Sequence, residues 1–321
     1  MRTPPLLVLG LAAALFEPRI ASATECSSVA VPCVDAEPLW LPPGADSFTL
    51  LPSTDVAPPW QLGFDLAFLL RLRPAVLLAP APSRDPREID ALGLAADGVM
   101  GWTFGLNYGL ELSWVTPLGL YQSGAGIKGV THQTAPPISQ TAVHDPRLGL
   151  GYAFGKPGAR LGAKARIELK LPLGDADALA SEPSAVASPS FALSWGRTGW
   201  LMAAEVGARL RRPSQLFGSR IGSQAWLALG VGYAFSRPRL SFSVEGYALP
   251  SLVAGGDTPH LPSEWLATAV FSPAALASFS FGLGGGTGLP LSSNGAGKSF
   301  AAFGVPALRL LAFARFAPQA D

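Results

Sequence analysis

The sequence predicts an all-β protein, a transmembrane antiparallel up-and-down barrel of about twelve strands. Three observations predict it: long runs of two-residue alternation, a secretory start, and connections that switch regularly between short and long. The clearest run is Arg147 to Gly174. Leu148, Leu150, Tyr152 and Phe154 share one side, against Arg147, Gly149, Gly151 and Ala153. After Gly155-Lys156-Pro157-Gly158, a hairpin turn, the pattern resumes. Ala159, Leu161, Ala163, Ala165, Ile167, Leu169 and Leu171 face one way, and Arg160, Gly162, Lys164, Arg166, Glu168 and Lys170 the other. In a soluble sheet the apolar face packs on a core; in an outer-membrane barrel it meets lipid and the charges meet a lumen.

The N-terminus favours export. Arg2 precedes the apolar run Leu6 to Phe16, and Ala21-Ser22-Ala23 supplies small residues at a cleavage site, so residues 1–23 read as a secretory signal peptide. Glu25 before Cys26 excludes a lipoprotein signal. The uncharged stretch Trp265 to Gly297 is broken by Pro273, Pro290 and Gly284-Gly285-Gly286 and does not fit a membrane helix. Only 14% of residues are charged and 49% are hydrophobic, whereas a soluble domain carries about 25% charged residues. A formal net charge of +1 gives no reason to expect nucleic acid. Cys26 and Cys33, the only cysteines, read as one local disulfide in an oxidising compartment.

The strands follow in order. The first, about 60–72, sets Trp60, Leu62, Phe64, Leu66, Phe68, Leu70 and Leu72 against Gln61, Asp65 and Arg71. The second, about 92–106, sets Leu92, Leu94, Ala96, Met100, Trp102, Phe104 and Leu106 against Asp97 and Thr103. The third carries Leu110, Leu112 and Trp114 against Glu111 and Ser113; the Arg147–Gly174 hairpin supplies the fourth and fifth. The sixth ends at Trp195, and the turn 196–199 leads to the seventh, with Glu205, Arg209 and Arg211 inward. The eighth (about 221–235) and ninth (from Leu240, with Glu245 inward) meet at 236–239. The tenth (about 264–272), eleventh (about 275–285) and twelfth (about 299–316, with Arg309 and Arg315 inward) complete an even count.

Every second connection is short and the others are mostly longer and rich in Pro, Gly and Ser. This asymmetry belongs to outer-membrane barrels and puts both termini in the periplasm. Aromatics gather near the short turns (Tyr108, Tyr152, Phe154, Trp195, Trp200, Tyr233, Phe235 and Phe271), as an interfacial girdle would. The barrel is expected over 60–318. Residues 24–59 are Pro-rich and aperiodic, and read either as a periplasmic extension or as a plug in the lumen.

The candidate functional residues are lumen-facing charges: Arg71, Glu111, Arg160, Lys164, Arg166, Glu168, Lys170, Glu205, Arg209, Glu245 and Arg309. With Asp65, Asp97, Arg73, Arg147, Arg211 and Arg315 added, six acids face eleven bases, an excess of about five positive charges. Rings of Arg and Lys favour anions, so a narrow anion-favouring pore is one reading and a salt-bridged, closed wall the other. No catalytic, metal or cofactor site is expected. His132, His144 and His260 fall in or beside outer loops and read as surface residues. His144-Asp145 near loop Ser and Thr matches no hydrolase motif. Gly295-Ala296-Gly297-Lys298-Ser299 imitates the end of a phosphate loop, but Ser292 stands where that loop needs glycine.

Three segments carry a family resemblance: PSTDVAPPWQLGFDLAFLLRLRPA (52–75), LYQSGAGIK (120–128) and TAVHDPRLGLGYAFG (141–155). Their order resembles barrels of predatory and fruiting delta-proteobacteria, similar to the N-terminal region of outer-membrane protein A-family proteins and to outer-membrane transporters. The signal peptide and barrel imply a Gram-negative outer-membrane location with membrane lipid as partner, and a last strand ending near Phe316 resembles the aromatic-ended signal read by the barrel-assembly machinery. The expected function is porin-like passage of small solutes with anion preference. The alternative is a structural or surface-interaction barrel.

Overall fold

A computed structural model describes residues 33–44, 48–79, 87–126, 138–155, 158–216, 219–236, 239–252, 261–289 and 303–318. The predicted signal peptide, Cys26, His132, His260 and the glycine-lysine stretch 295–299 lie outside the described residues.

Twelve strands form the barrel wall: β1 (Leu62–Ala79), β2 (Arg87–Gly105), β3 (Leu110–Ser123), β5 (Arg147–Phe154), β6 (Leu161–Lys170), β7 (Val186–Arg197), β8 (Trp200–Arg209), β11 (Gln224–Phe235), β12 (Leu240–Ala248), β13 (Ser263–Phe271), β14 (Phe279–Gly288) and β15 (Leu308–Phe316). Each pairs antiparallel with its neighbour, and β1 closes on β15 from Phe64↔Phe316 to Leu72↔Leu308. The short strand β4 (Ala142–Val143) adds to β3, while β9 (Ser214–Leu216) and β10 (Ser219–Ile221) form a separate ribbon in a long connection. Closure leaves no unpaired edge in the wall among the described residues, as a sheet in lipid requires.

The two faces differ as the alternation predicts. Phe68, Leu70, Leu150, Ile167, Leu193, Val206, Leu229, Val244, Leu283 and Leu310 are exposed around the outside. Such a belt would be an aggregation surface in water and is the contact surface of a barrel in lipid. At the short-turn end, Tyr152 meets Phe154 (ring centroids 4.8 Å apart) and Trp200 meets Tyr233 (5.3 Å). The tightest turn, between β7 and β8, places Thr198 (φ 53°) and Gly199 (φ 87°) in the left-handed conformations that a two-residue hairpin demands.

Departures from simple alternation are local. β1 and β2 extend past the other strands at the long-connection end, with register shifts near Leu72 and Ala75. Beyond the shifts, Leu92, expected in lipid, is buried with Ala36, Ala75 and Leu179 in a cluster covering that end. Arg73, expected in the lumen, is exposed on this projecting hairpin, with φ 49°. It pairs there with Glu88 (2.8 Å) and Asp90 (2.9 Å).

Candidate functional site

The inside of the barrel is occupied by the chain's own N-terminal segment. Val34 packs with Ile221, Leu77 and Phe303 at the long-connection end. Leu39, Leu41, Phe48, Leu50 and Leu51 share one core cluster with the wall residues Leu69, Trp226, Tyr247, Leu266, Val270, Leu311 and Phe313. Ala57 and Trp60 bond at the short-turn end, where β1 begins. The segment therefore threads the lumen from one mouth to the other. Its first described residues lie opposite the periplasmic end to which the strand count assigned the N-terminus.

An aperiodic, Pro-rich segment has few backbone hydrogen bonds of its own, and burying those groups unsatisfied would be costly. The segment's own Asp35 and Glu37 take the Glu37 and Leu39 N–H groups, and the wall's charged side chains satisfy most of the rest. Glu245 accepts N–H bonds from Thr49 (2.8 Å), Leu50 (2.6 Å) and Leu51 (3.3 Å). Glu111 accepts from Ala57 (2.9 Å) and Asp65 from Gly44 (2.7 Å). On the donor side, Arg71, Arg209, Arg147 and Arg315 donate to the carbonyls of Ala36 (3.0 Å), Pro38 (2.7 Å), Leu41 (2.7 Å) and Phe48 (3.0 Å). Space is matched as well as polarity. A Cβ on Gly230 would meet the Leu51 Cδ1 at 2.6 Å and the Phe48 Cε1 at 2.9 Å, so a larger residue there would force these side chains to shift.

Ion pairs connect what remains. Glu37 bridges Arg71 and Arg309 (3.0 Å each), and Arg309 also pairs with Glu264 (2.9 Å). Lys164 pairs with Glu111 (2.7 Å), Arg166 with Glu205 (3.1 Å) and Glu168 (3.6 Å), and Lys170 with Asp35. Of the predicted site residues, only Arg160 is misplaced. β6 begins at Leu161, which leaves Arg160 exposed in the preceding turn. Arg211, also counted inward, lies in the long connection after β8 and pairs with Glu182.

His144, expected on a surface, is buried between Asp35 and Asp97, with each nitrogen 3.5 Å from a carboxylate oxygen. At that distance the contacts are charge pairings rather than short hydrogen bonds. Burial pulls its pKa down, but the two carboxylates outweigh it and raise it to about 9. Burial raises the Asp35 carboxyl, yet Lys170 and His144 hold it well below the usual carboxylate range. Next to His144, Asp145 accepts from Gly174, Ser181 and Glu182 (2.8 Å each) and ties down the connection after β6. Cys33 is buried and disulfide-bonded; Cys26 is outside the described residues.

The inward strand charges near neutrality. Arg71, Arg147, Lys164, Arg166, Lys170, Arg209, Arg309 and Arg315 face Asp65, Asp97, Glu111, Glu168, Glu205, Glu245 and Glu264. Asp35 and Glu37 of the segment, and protonated His144, bring the described lumen to balance. Glu264, at the very start of β13, was not among the acids expected inward. Two lumen cavities hold about 30 Å³, beside Trp40 and His144, and about 20 Å³, beside Pro43 and Phe313. Each has room for roughly a water molecule.

One solved structure confirms the fold. An outer-membrane channel of the COG4313 group from Pseudomonas putida F1 is 15% identical, with a TM-score of 0.58 covering 86% of this chain and 100% of that one. The NanC porin (9%, TM-score 0.49, 80% and 100% covered) and the KdgM porin (8%, 0.47, 80% and 99%) are also similar. No curated protein matches in sequence. Residues 88–265, more than half of the chain, match the family described as "Putative MetA-pathway of phenol degradation", and the chain belongs to that family.

Proposed function

We propose that the protein is a porin-like channel of the Gram-negative outer membrane whose own N-terminal segment, described at residues 33–44 and 48–59, closes the lumen until it is displaced. The observation that carries this reading is how the segment is held. Wall side chains make most of its bonds to the barrel, and no described residue of it joins a wall strand's ladder, so it can leave without opening the barrel wall. Export by the 1–23 signal peptide, assembly by the outer-membrane machinery and passive passage of small solutes without enzymatic activity belong to the same reading.

The anion preference expected from eleven inward bases loses most of its basis. Arg73 and Arg160 are exposed, Arg211 is in a connection, and Glu264 joins the acids. With the strand charges nearly equal, we propose weak selectivity for the open wall. Proteoliposome swelling in arabinose, combined with the reversal potential across a salt gradient, tests both points. Slow swelling that quickens when Glu245→Ala loosens the segment, with a small reversal potential, is expected. No swelling by either protein favours a closed structural barrel, for which the water-sized cavities speak.

A further inference from the structure

Arg209 is held differently from the other inward cations. It donates to the Pro38 carbonyl and stacks on Trp40 (4.1 Å from its guanidinium carbon to the ring centroid) and Trp226 (4.9 Å). Among the described residues no carboxylate pairs with it: Glu168 serves Arg147 and Arg166, and Glu205 serves Arg166 and the Trp226 indole. The Trp40 ring also lies 5.3 Å from the Arg147 guanidinium and 5.4 Å from Lys170 Nζ. Lys170 in turn pairs with Asp35 of the same segment. One indole ring and one carboxylate, five residues apart, thus occupy a pocket of three cations. When the segment withdraws, the ring and the carboxylate leave together, and Arg209 keeps only Trp226.

We propose that this pocket is a lumen binding site for aromatic carboxylates, with Trp40 and Asp35 acting as tethered stand-ins for the ligand's ring and acid. The inference rests on the channel reading above and names a ligand class for that lumen. A flat ring restores the cation–π contacts, which strengthen when they are desolvated. A carboxylate takes the place of Asp35 on Lys170 and brings an anion into the cluster where Arg209 has none, a charge-assisted pairing about twice as strong as a neutral hydrogen bond. Neither half alone replaces both losses, so the ligand must carry both. Its binding competes with the segment and favours the open state.

The test uses the full-length protein in detergent, with indole-3-acetate as probe and indole and acetate as controls. In a protein carrying Trp40→Ala and Asp35→Asn, calorimetry should show indole-3-acetate binding at least tenfold tighter than either control. Adding Arg209→Gln should weaken it at least tenfold. Equal binding of indole and indole-3-acetate, or no saturable binding, overturns the proposal. Heat-shifted electrophoretic mobility reports whether the variant is folded. If it is not, the unmodified protein decides. There, deuterium uptake at residues 33–44 should rise with indole-3-acetate and not with the controls, and unchanged uptake overturns the site. A barrel that conducts yet ignores indole-3-acetate loses the ligand site and keeps the channel.

Discussion

Leu50 donates its backbone N–H to the Glu245 carboxylate at 2.6 Å, and the same carboxylate takes the N–H groups of Thr49 and Leu51. A fully buried wall charge thus serves as the anchor of an irregular segment. Glu245→Ala strands three buried donors, at a cost of about 3 kcal/mol. Hydrogen exchange at residues 49–51 should quicken on the order of 100-fold while exchange in β12 itself changes little. Equal acceleration across β12 would mean that the residue supports the wall rather than the segment.

The His144 latch gives the closure a pH dependence. Its folded pKa of about 9 lies above the ordinary 6.5, so its stabilisation is complete below about pH 6.5 and is lost as pH rises through about 9. Asp35 and Asp97 flank it, while Lys170 and Arg147 line the same cavity. Deuterium uptake at 33–44, corrected for intrinsic exchange, should therefore increase between pH 7 and 10, and His144→Gln should flatten that rise. A rise of the same size in the variant would remove His144 from the latch.

Facing in the membrane is testable at one pair of positions. Ile167 is 50% exposed on the outer face of β6. Ile167→Arg should cost about 2–4 kcal/mol of folding stability in lipid if its depth is near the midplane. Ile167→Phe should be mild. Denaturant titration of refolded protein measures both, and an Arg tolerated as well as Phe would reverse the facing of this strand.

Sidedness follows from the connections. With Cys26 and Cys33 replaced by serine, a cysteine at the exposed Ser139 should react with a membrane-impermeant thiol reagent on intact cells, and one at Thr198 should not. Reaction at Thr198 with protection at Ser139 would invert the barrel.

The wall was legible in the sequence because period two is imposed by strand geometry alone. Runs such as Leu148 to Phe154 and Leu161 to Leu171 give their facing without any knowledge of neighbours. The occupied lumen was not legible, because residues 33–59 have no period and their bonds come from side chains remote in sequence. The charges of Arg71, Glu111 and Glu245 look the same whether they meet water or a backbone carbonyl or N–H group. Two signals were present all the same. The inward positions Leu69, Leu266, Val270, Leu311 and Phe313 are too apolar for a water-filled pore, and inward Gly230 leaves a space that something must fill. His144 misled because its carboxylate partners come from the segment and from β2, far along the chain.

Steady conductance in planar bilayers tests most directly the proposal that the N-terminal segment, described at residues 33–44 and 48–59, closes the barrel. The unmodified protein should remain mostly shut, with brief openings at most. A protein carrying Glu245→Ala and Asp35→Asn, which unhooks the segment at its middle and its outer end, should open for at least tenfold more of the time. An unmodified protein that conducts steadily, with the same conductance and open time as that variant, would contradict closure by this segment.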